Sequence, residues 1–240
     1  MSNQSKTLQD IPADKIYHWH SPIDLGNGVN TNRKVIKRFQ RRLKLMQIPE
    51  DLSGKTVLDI GAWDGFFSFE FEKRGAQVLA IDTYAWDQGG INNFLHAREK
   101  LNSNVQYKRL DVHDLDPKDV GQFDIVFFAG VLYHLRNPLL ALDRIRSVTK
   151  ERLICETHAM IPFMHEKYPL ISFFPGDENA TAPWPVCGYA TTAWLQQALG
   201  AAGFSHLDFK YTPSFKILHK FKALLTNRPQ SGRCIIHAFP

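Results

Sequence analysis

The chain has 240 residues, 44% hydrophobic and 22% charged, with a net charge of +5 and a pI of about 9.1. That is enough for one large α/β domain with a sizeable core. No apolar run approaches the roughly 18 residues of a membrane span, and the polar start Met1–Asp10 lacks the apolar core of a signal peptide. Cys155, Cys187 and Cys234 lie far apart without CxxC spacing. This pattern predicts reduced thiols in a cytoplasm and no metal site. The positive charge admits an anionic partner without requiring one.

Residues 1 to about 14 read as a mobile tail. His18-Trp19-His20-Ser21-Pro22 through Asn27-Gly28 reads as an ordered loop. Asn30-Thr31-Asn32 offers helix caps. Ile36, Phe39, Leu43 and Met46 then recur at spacings of three and four, which marks one apolar helical face. Lys34, Lys37, Arg38, Arg41, Arg42 and Lys44 fill the rest, as a solvated face or a phosphate-contacting one. Residues 1–50 are therefore a tail, a loop and a basic helix packing on a single domain over 51–240.

Strands and helices alternate from there. Thr56–Ile60 reads as a buried strand that breaks into the turn Gly61-Ala62-Trp63-Asp64-Gly65 and restarts as a helix through Phe66–Phe71. Val78–Ile81 ends in Asp82, and a helix follows at about Gly90–Leu101. Val105–Leu110 ends in Asp111-Val112. Phe123–Phe128 runs into Ala129 and Gly130, and Pro138 opens a helix. Arg152–Cys155 ends in Glu156-Thr157-His158. The alternation predicts an α/β, doubly wound, mostly parallel sheet with helices on both faces. Residues 159–190 break the rhythm with prolines, glycines and large aromatics, which predicts a lid-like insertion. Thr191 caps a helix ending near Gly203. His206–Tyr211 and Arg233–Phe239 read as the last strands, with an amphipathic helix on Phe215, Leu218, Phe221, Leu224 and Leu225 between them.

Ligands of such sheets bind at the carboxyl ends of the strands. Asp59, Asp82 and Asp111 fall at three successive strand ends beside the turn bounded by Gly61 and Gly65. Asp82, with Thr83 beside it, is placed to accept two ribose hydroxyls. Asp111 is placed to accept from an adenine amine, with Val112 on the ring. A dinucleotide turn wants GxGxxG facing a pyrophosphate. Here the glycine two residues after Gly61 is missing, and Asp64 adds a negative charge. Asp59 and Asp64 instead suit an ammonium and a sulfonium, which favours S-adenosylmethionine over NAD. Trp63, Tyr84 and Trp86 read as pocket wall, with the Trp63 ring beside the cofactor or the first helix. Trp184 reads as a substrate-facing aromatic or a loop anchor. An acceptor hydroxyl also needs a base, and His134 is the first candidate, His158 and Glu156 the second.

The segments VLDIGAWDG, AIDTY, LDVHD and FDIVFFAGVLYHLRNPL, spanning about Lys55 to Glu156, together resemble the class I SAM-dependent methyltransferases. Trp63 stands where the usual GxGxG has its middle glycine. The resemblance implies a Rossmann-like, seven-stranded sheet with a reversed last strand. It puts Asp59 and Gly61 near the methionyl part of S-adenosyl-L-methionine, with Trp63 and Gly65 in the same turn. It puts Asp82 and Thr83 at the ribose, Asp111 and Val112 at adenine, and Ala129 at the edge of the pocket. GVLYHLRNPL followed by Phe174-Pro175-Gly176-Asp177 resembles the tRNA wobble-uridine branch, which uses carboxy-SAM. There a Lys, a Tyr and an Arg hold the extra carboxylate. The Tyr matches Tyr133 and the Arg matches Arg233, while the Lys falls on His20, a poorer anchor. The expectation is therefore methyl transfer from plain SAM to a small-molecule acceptor at oxygen, with Tyr133, His134 and His158 at the chemistry. A tRNA enzyme and a non-catalytic SAM-binding protein are the alternatives.

Overall fold

The computed structural model describes residues 18–26, 28–160, 168–173, 186–212 and 231–240. The tail, the Phe174–Asp177 segment, Trp184 and the amphipathic helix over 215–225 lie outside the described residues. The strands form a seven-stranded sheet in the order β3-β2-β1-β4-β5-β7-β6, as the alternation predicted. Two compact units divide the chain at Asp114/Leu115.

The first unit carries β1 (Thr56–Ile60), β2 (Gln77–Asp82) and β3 (Gln106–Arg109). All pair parallel, with Ile60 opposite Ile81 and Asp82 opposite Arg109. Val57 to Ile60 are buried without alternation, the mark of a strand covered on both faces. The third strand is shorter than the predicted 105–110 because β2 has run out at Asp82. On its exposed edge stand Lys108 and Arg109, charges that discourage pairing with another chain. Helices α1 (Ile36–Met46), α2 (Phe66–Lys73), α3 (Tyr84–Asp87) and α4 (Gly90–Lys100) complete this unit. Helix α1 buries Phe39 and Met46 and leaves Lys37, Arg38, Arg41 and Lys44 exposed. Gly65 enters α2 at φ +89° with no room for a side chain: a Cβ would lie 2.5 Å from the Phe69 ring and 2.7 Å from that of Phe94.

The second unit carries β4 (Phe123–Ala129), β5 (Thr149–Met160), β6 (His206–Tyr211) and β7 (Ser231–Phe239). Strand β5 pairs parallel with β4 and antiparallel with β7, which also pairs antiparallel with β6. The helices are α5 (Pro117–Val120), α6 (Pro138–Val148) and α7 (Thr192–Ala201). Strand β5 extends well beyond the predicted Arg152–Cys155. Its β4 partner stops opposite Glu156, but β7 keeps pairing to Met160 opposite Ser231. Glu156, Thr157 and His158 are therefore strand residues rather than loop. Isolated bridges join Ala190 to Ala159 and to Ile171. Among the described residues no helix is long and apolar enough to cross a membrane.

Candidate functional site

The strand ends of the first unit gather buried acids. Asp59 is 2% exposed, and its Oδ2 accepts the Ser68 hydroxyl at 2.5 Å. Burial pushes its carboxyl up to about 7; Ser68 opposes the shift and the nearby Asp82 charge adds to it. Asp82 is 8% exposed, and its two oxygens accept the backbone N–H groups of Trp63 and Ala85, each at 3.0 Å. Burial pushes this carboxyl up to about 6 against the pull of those amides. Thr83 donates its hydroxyl to Asp111 at 3.4 Å. The other Asp111 oxygen accepts the His113 N–H at 2.9 Å and lies 2.7 Å from His113 Nδ1. Val112 is buried at the start of a short 3-10 turn, Val112–Asp114. Gly61, at φ +78°, and Ala62 both donate to the Ile81 carbonyl.

This donor set fits the cofactor that the strand-end acids predict. A carboxylate oxygen accepts about two hydrogen bonds, so the amides at Asp82 leave acceptor capacity for a diol. Asp59 is buried with a hydroxyl for company, and an ammonium beside it would restore its ionised form.

Trp63 and Asp64 turn elsewhere. Trp63 holds φ +54°, and its ring stacks on His20 with centroids 4.5 Å apart and planes at 25°. Its carbonyl accepts the indole N–H of the fully buried Trp86 at 2.7 Å. The Asp64 carboxylate, 1% exposed, accepts the backbone N–H groups of His20 and Ser21, both at 2.9 Å, and the Ser21 hydroxyl. The cation-facing role predicted for Asp64 is therefore corrected: it ties down the chain ahead of α1. Tyr84 is 45% exposed.

In the second unit β4 ends at Ala129, and the Gly130 N–H donates to the Glu156 carbonyl at 2.8 Å. A 3-10 turn, Leu132–His134, follows. The Tyr133 ring lies 4.2 Å from that of His134 and meets His158 edge-on at 5.1 Å. His158 Nδ1 is 3.2 Å from the Ser231 hydroxyl. A cleft opens on Tyr133 and His158, walled by Leu132, Pro138, Thr157, Ile171, Gly188, Ala190 and Trp194. His134 is not among its lining residues. Glu156 is 1% exposed and accepts Nη1 of Arg233 at 2.6 Å. Among the described residues no group of three His, Cys, Asp or Glu side chains could hold a metal ion. Sequence reasoning missed Ser68, Trp194 and Ser231. Ser68 left one faint signal, a lone small polar residue in the aromatic run Phe66–Phe71.

A protein-family model described as a methyltransferase domain matches residues 31–205. The ubiquinone biosynthesis O-methyltransferase of Acinetobacter baylyi is 31% identical over 100 residues, 41% of each chain. The tRNA U34 carboxymethyltransferase of Campylobacter hominis is 39% identical over 101 residues, 40% of this chain and 33% of that one. The chain thus spans about two fifths of the first relative's length and about a third of the second's. The N-terminal domain of EvdMO1, solved in the presence of SAH and D-fucose, superposes with a TM-score of 0.63 at 17% identity, covering 92% of this chain and 91% of that one. The magnesium protoporphyrin IX methyltransferase ChlM of Synechocystis PCC 6803, solved with bound SAM, gives 0.54 at 17% identity, covering 85% and 78%. At these identities the two structures show the shared fold. The family match runs from ahead of α1 to beyond α7 and takes in every strand end described above, and on it the chain belongs to the methyltransferase-domain family.

Proposed function

We propose that the chain is a SAM-dependent methyltransferase that methylates a small-molecule acceptor at oxygen. The observation that carries it is the pair of buried carboxylates, Asp59 and Asp82, at the ends of neighbouring parallel strands. Two carboxyl groups at such depth call for a ligand that offers a cation to one and hydroxyls to the other. In this reading Asp59 takes the ammonium, Gly61 lets the ligand approach the backbone, and Trp63 and Gly65 shape the turn. Asp82 and Thr83 serve the ribose, and Asp111 and Val112 the adenine. S-adenosyl-L-methionine supplies a methyl group on a sulfonium, open to in-line displacement by an acceptor oxygen.

The cleft of the second unit is narrow, with room for about one water; its walls are mostly apolar, and His158, Thr157 and Tyr133 supply polar groups for an acceptor. His158 takes the acceptor's proton, Tyr133 packs edge-on against its ring, and His134 packs on Tyr133. This reading prefers plain SAM to carboxy-SAM because Arg233 is already matched in charge by buried Glu156. The three free thiols suit a cytoplasmic setting.

Calorimetry with SAH tests the reading. Binding by the wild-type protein and a loss of at least about tenfold in Asp82→Ala are expected; equal binding by the two proteins would sink it.

Helix α1 favours a second reading, a tRNA-modifying enzyme. The stretch from Arg33 to Lys44 carries seven Lys and Arg residues, and no acid occurs between Leu25 and Pro49. Phosphate contacts weaken steeply with salt, so salt-sensitive tRNA binding that is lost when Lys37 and Arg41 become Gln would favour this reading over the first.

A further inference from the structure

Trp63 has a backbone that asks for glycine. At φ +54° an L side chain is strained, whereas glycine is at ease. Glycine would also keep both main-chain bonds, the N–H to Asp82 and the carbonyl to Trp86. The indole adds a contact that glycine cannot, the stack on His20.

His20 belongs to a short strap, residues 18–24, that is held from two sides. Asp64 takes the amides of His20 and Ser21 together with the Ser21 hydroxyl. Behind the strap, Thr31 Oγ1 donates to the Ser21 carbonyl at 2.6 Å and accepts the Ile23 N–H at 2.8 Å. The Asn32 side chain donates to the Trp19 carbonyl at 2.8 Å. Adjacent residues of the turn thus grip one segment by different means, Trp63 through its ring and Asp64 through its carboxylate. The same Trp63 delivers its amide to Asp82, so a single residue joins the strap to the carboxylate that the proposed function gives to the ribose.

We propose that Trp63 is a positioning residue for the cofactor: its ring, stacked on His20, clamps the 18–24 strap onto the turn, and the clamped strap holds the Trp63 amide on Asp82. The inference rests on the reading of Asp82 as a cofactor residue. Strap order and cofactor binding are then coupled, and coupling between sites is reciprocal. Occupancy at Asp82 protects the His20 and Ser21 amides from exchange, and freeing the strap weakens the cofactor.

Three variants test this by SAH calorimetry and amide hydrogen exchange. Trp63→Gly removes the ring while relieving the strained backbone, so poor folding is not its expected failure. His20→Ala breaks the same stack from the other side and leaves Trp63 in place. Trp63→Phe keeps a ring. Trp63→Gly and His20→Ala are expected to lower SAH affinity about tenfold and to speed Ser21 amide exchange in the free protein. Trp63→Phe is expected to stay within about threefold of wild type in affinity. Wild-type affinity in Trp63→Gly and His20→Ala, or unchanged Ser21 exchange in both, overturns the clamp. Wild-type protein that binds no SAH removes the cofactor reading instead, and the exchange arm, run without ligand, still decides whether the ring holds the strap.

Discussion

At the residue scale, Asp59 is the most consequential group. Its carboxyl is raised to about 7 and that of Asp82 to about 6. A raised acid holds its proton more tightly in the folded chain than in the unfolded one. Its stabilising contribution is full below the unfolded value of 3.8 and is lost as pH rises through the folded value. For Asp59 that loss is on the order of 4 kcal/mol between pH 4 and pH 7. The ligand-free protein is therefore expected to lose melting temperature across this window, and Asp59→Asn to flatten the loss; parallel profiles for the two proteins would contradict it. Cofactor binding runs the other way, because a cation needs the ionised carboxylate. SAH affinity is expected to rise from pH 5.5 to 8, with proton release at pH 6 seen as a buffer-dependent calorimetric heat. Ser68 sharpens this. Removing its hydroxyl in Ser68→Ala takes away the one donor at 2.5 Å that favours the charged form. The pH midpoint of SAH binding should then move up by about one unit. The acids themselves were legible in the sequence, because a carboxylate ending an apolar run is a local pattern. Ser68 and His20 were not, since their partners are set by how α2 and the strap fold back onto β1. Asp64 misled for the same reason: its charge was visible, but the three donors awaiting it were more than forty residues away.

At the element scale, α7 shows how one side chain can serve several segments. The Thr191 hydroxyl accepts from Trp194 N at the helix start and from Leu170 N, and donates to the Tyr168 carbonyl. Thr191→Ala should cost about 1–2 kcal/mol, the usual price of an N-cap. It should also unsettle Trp194 and Ile171 in the cleft wall. Chemical denaturation and intrinsic fluorescence would read the two effects separately. Gly65→Ala is expected to cost more, about 2–4 kcal/mol, because a left-handed backbone and an overfilled contact with Phe69 and Phe94 add together. The starts of most elements were legible from apolar runs, caps and Pro138. The length of β5 was not. Its last four residues are apolar and polar in no telling order, and they stay in the sheet because Ser231 to Cys234 pair with them from a distant part of the chain, with Ala190 bridging Ala159.

At the scale of the whole molecule, charge and thiols are distributed unevenly. The stretch from Arg33 to Lys44 contributes seven cations to a chain whose net charge is only +5, so the remainder is slightly acidic. Cys155 and Cys234 are buried in neighbouring strands, and burial raises both thiols, that of Cys234 up to about 12. Cys187 is only partly buried. A thiol reagent should therefore label Cys187 in the native protein and reach the other two only on unfolding; mass spectrometry showing three labels under native conditions would refute this. The sheet class was legible because β-α alternation is a property of the whole chain, and the family match agrees with it. The cleft of the second unit was not legible, since the residues that wall it come from four separate stretches.

The mooring of residues 187–190 constrains how this sequence can change over generations. The Tyr133 carbonyl receives the amides of Cys187 and Gly188, and Ala190 bridges Ala159. Strand β5 and the turn after β4 thus hold residues 187–190 by main-chain bonds, and Gly188 is confined there, because a Cβ on it would lie 1.9 Å from the Ser172 carbonyl oxygen. As related sequences diverge, Gly188 is the position there that takes no side chain without moving Ser172.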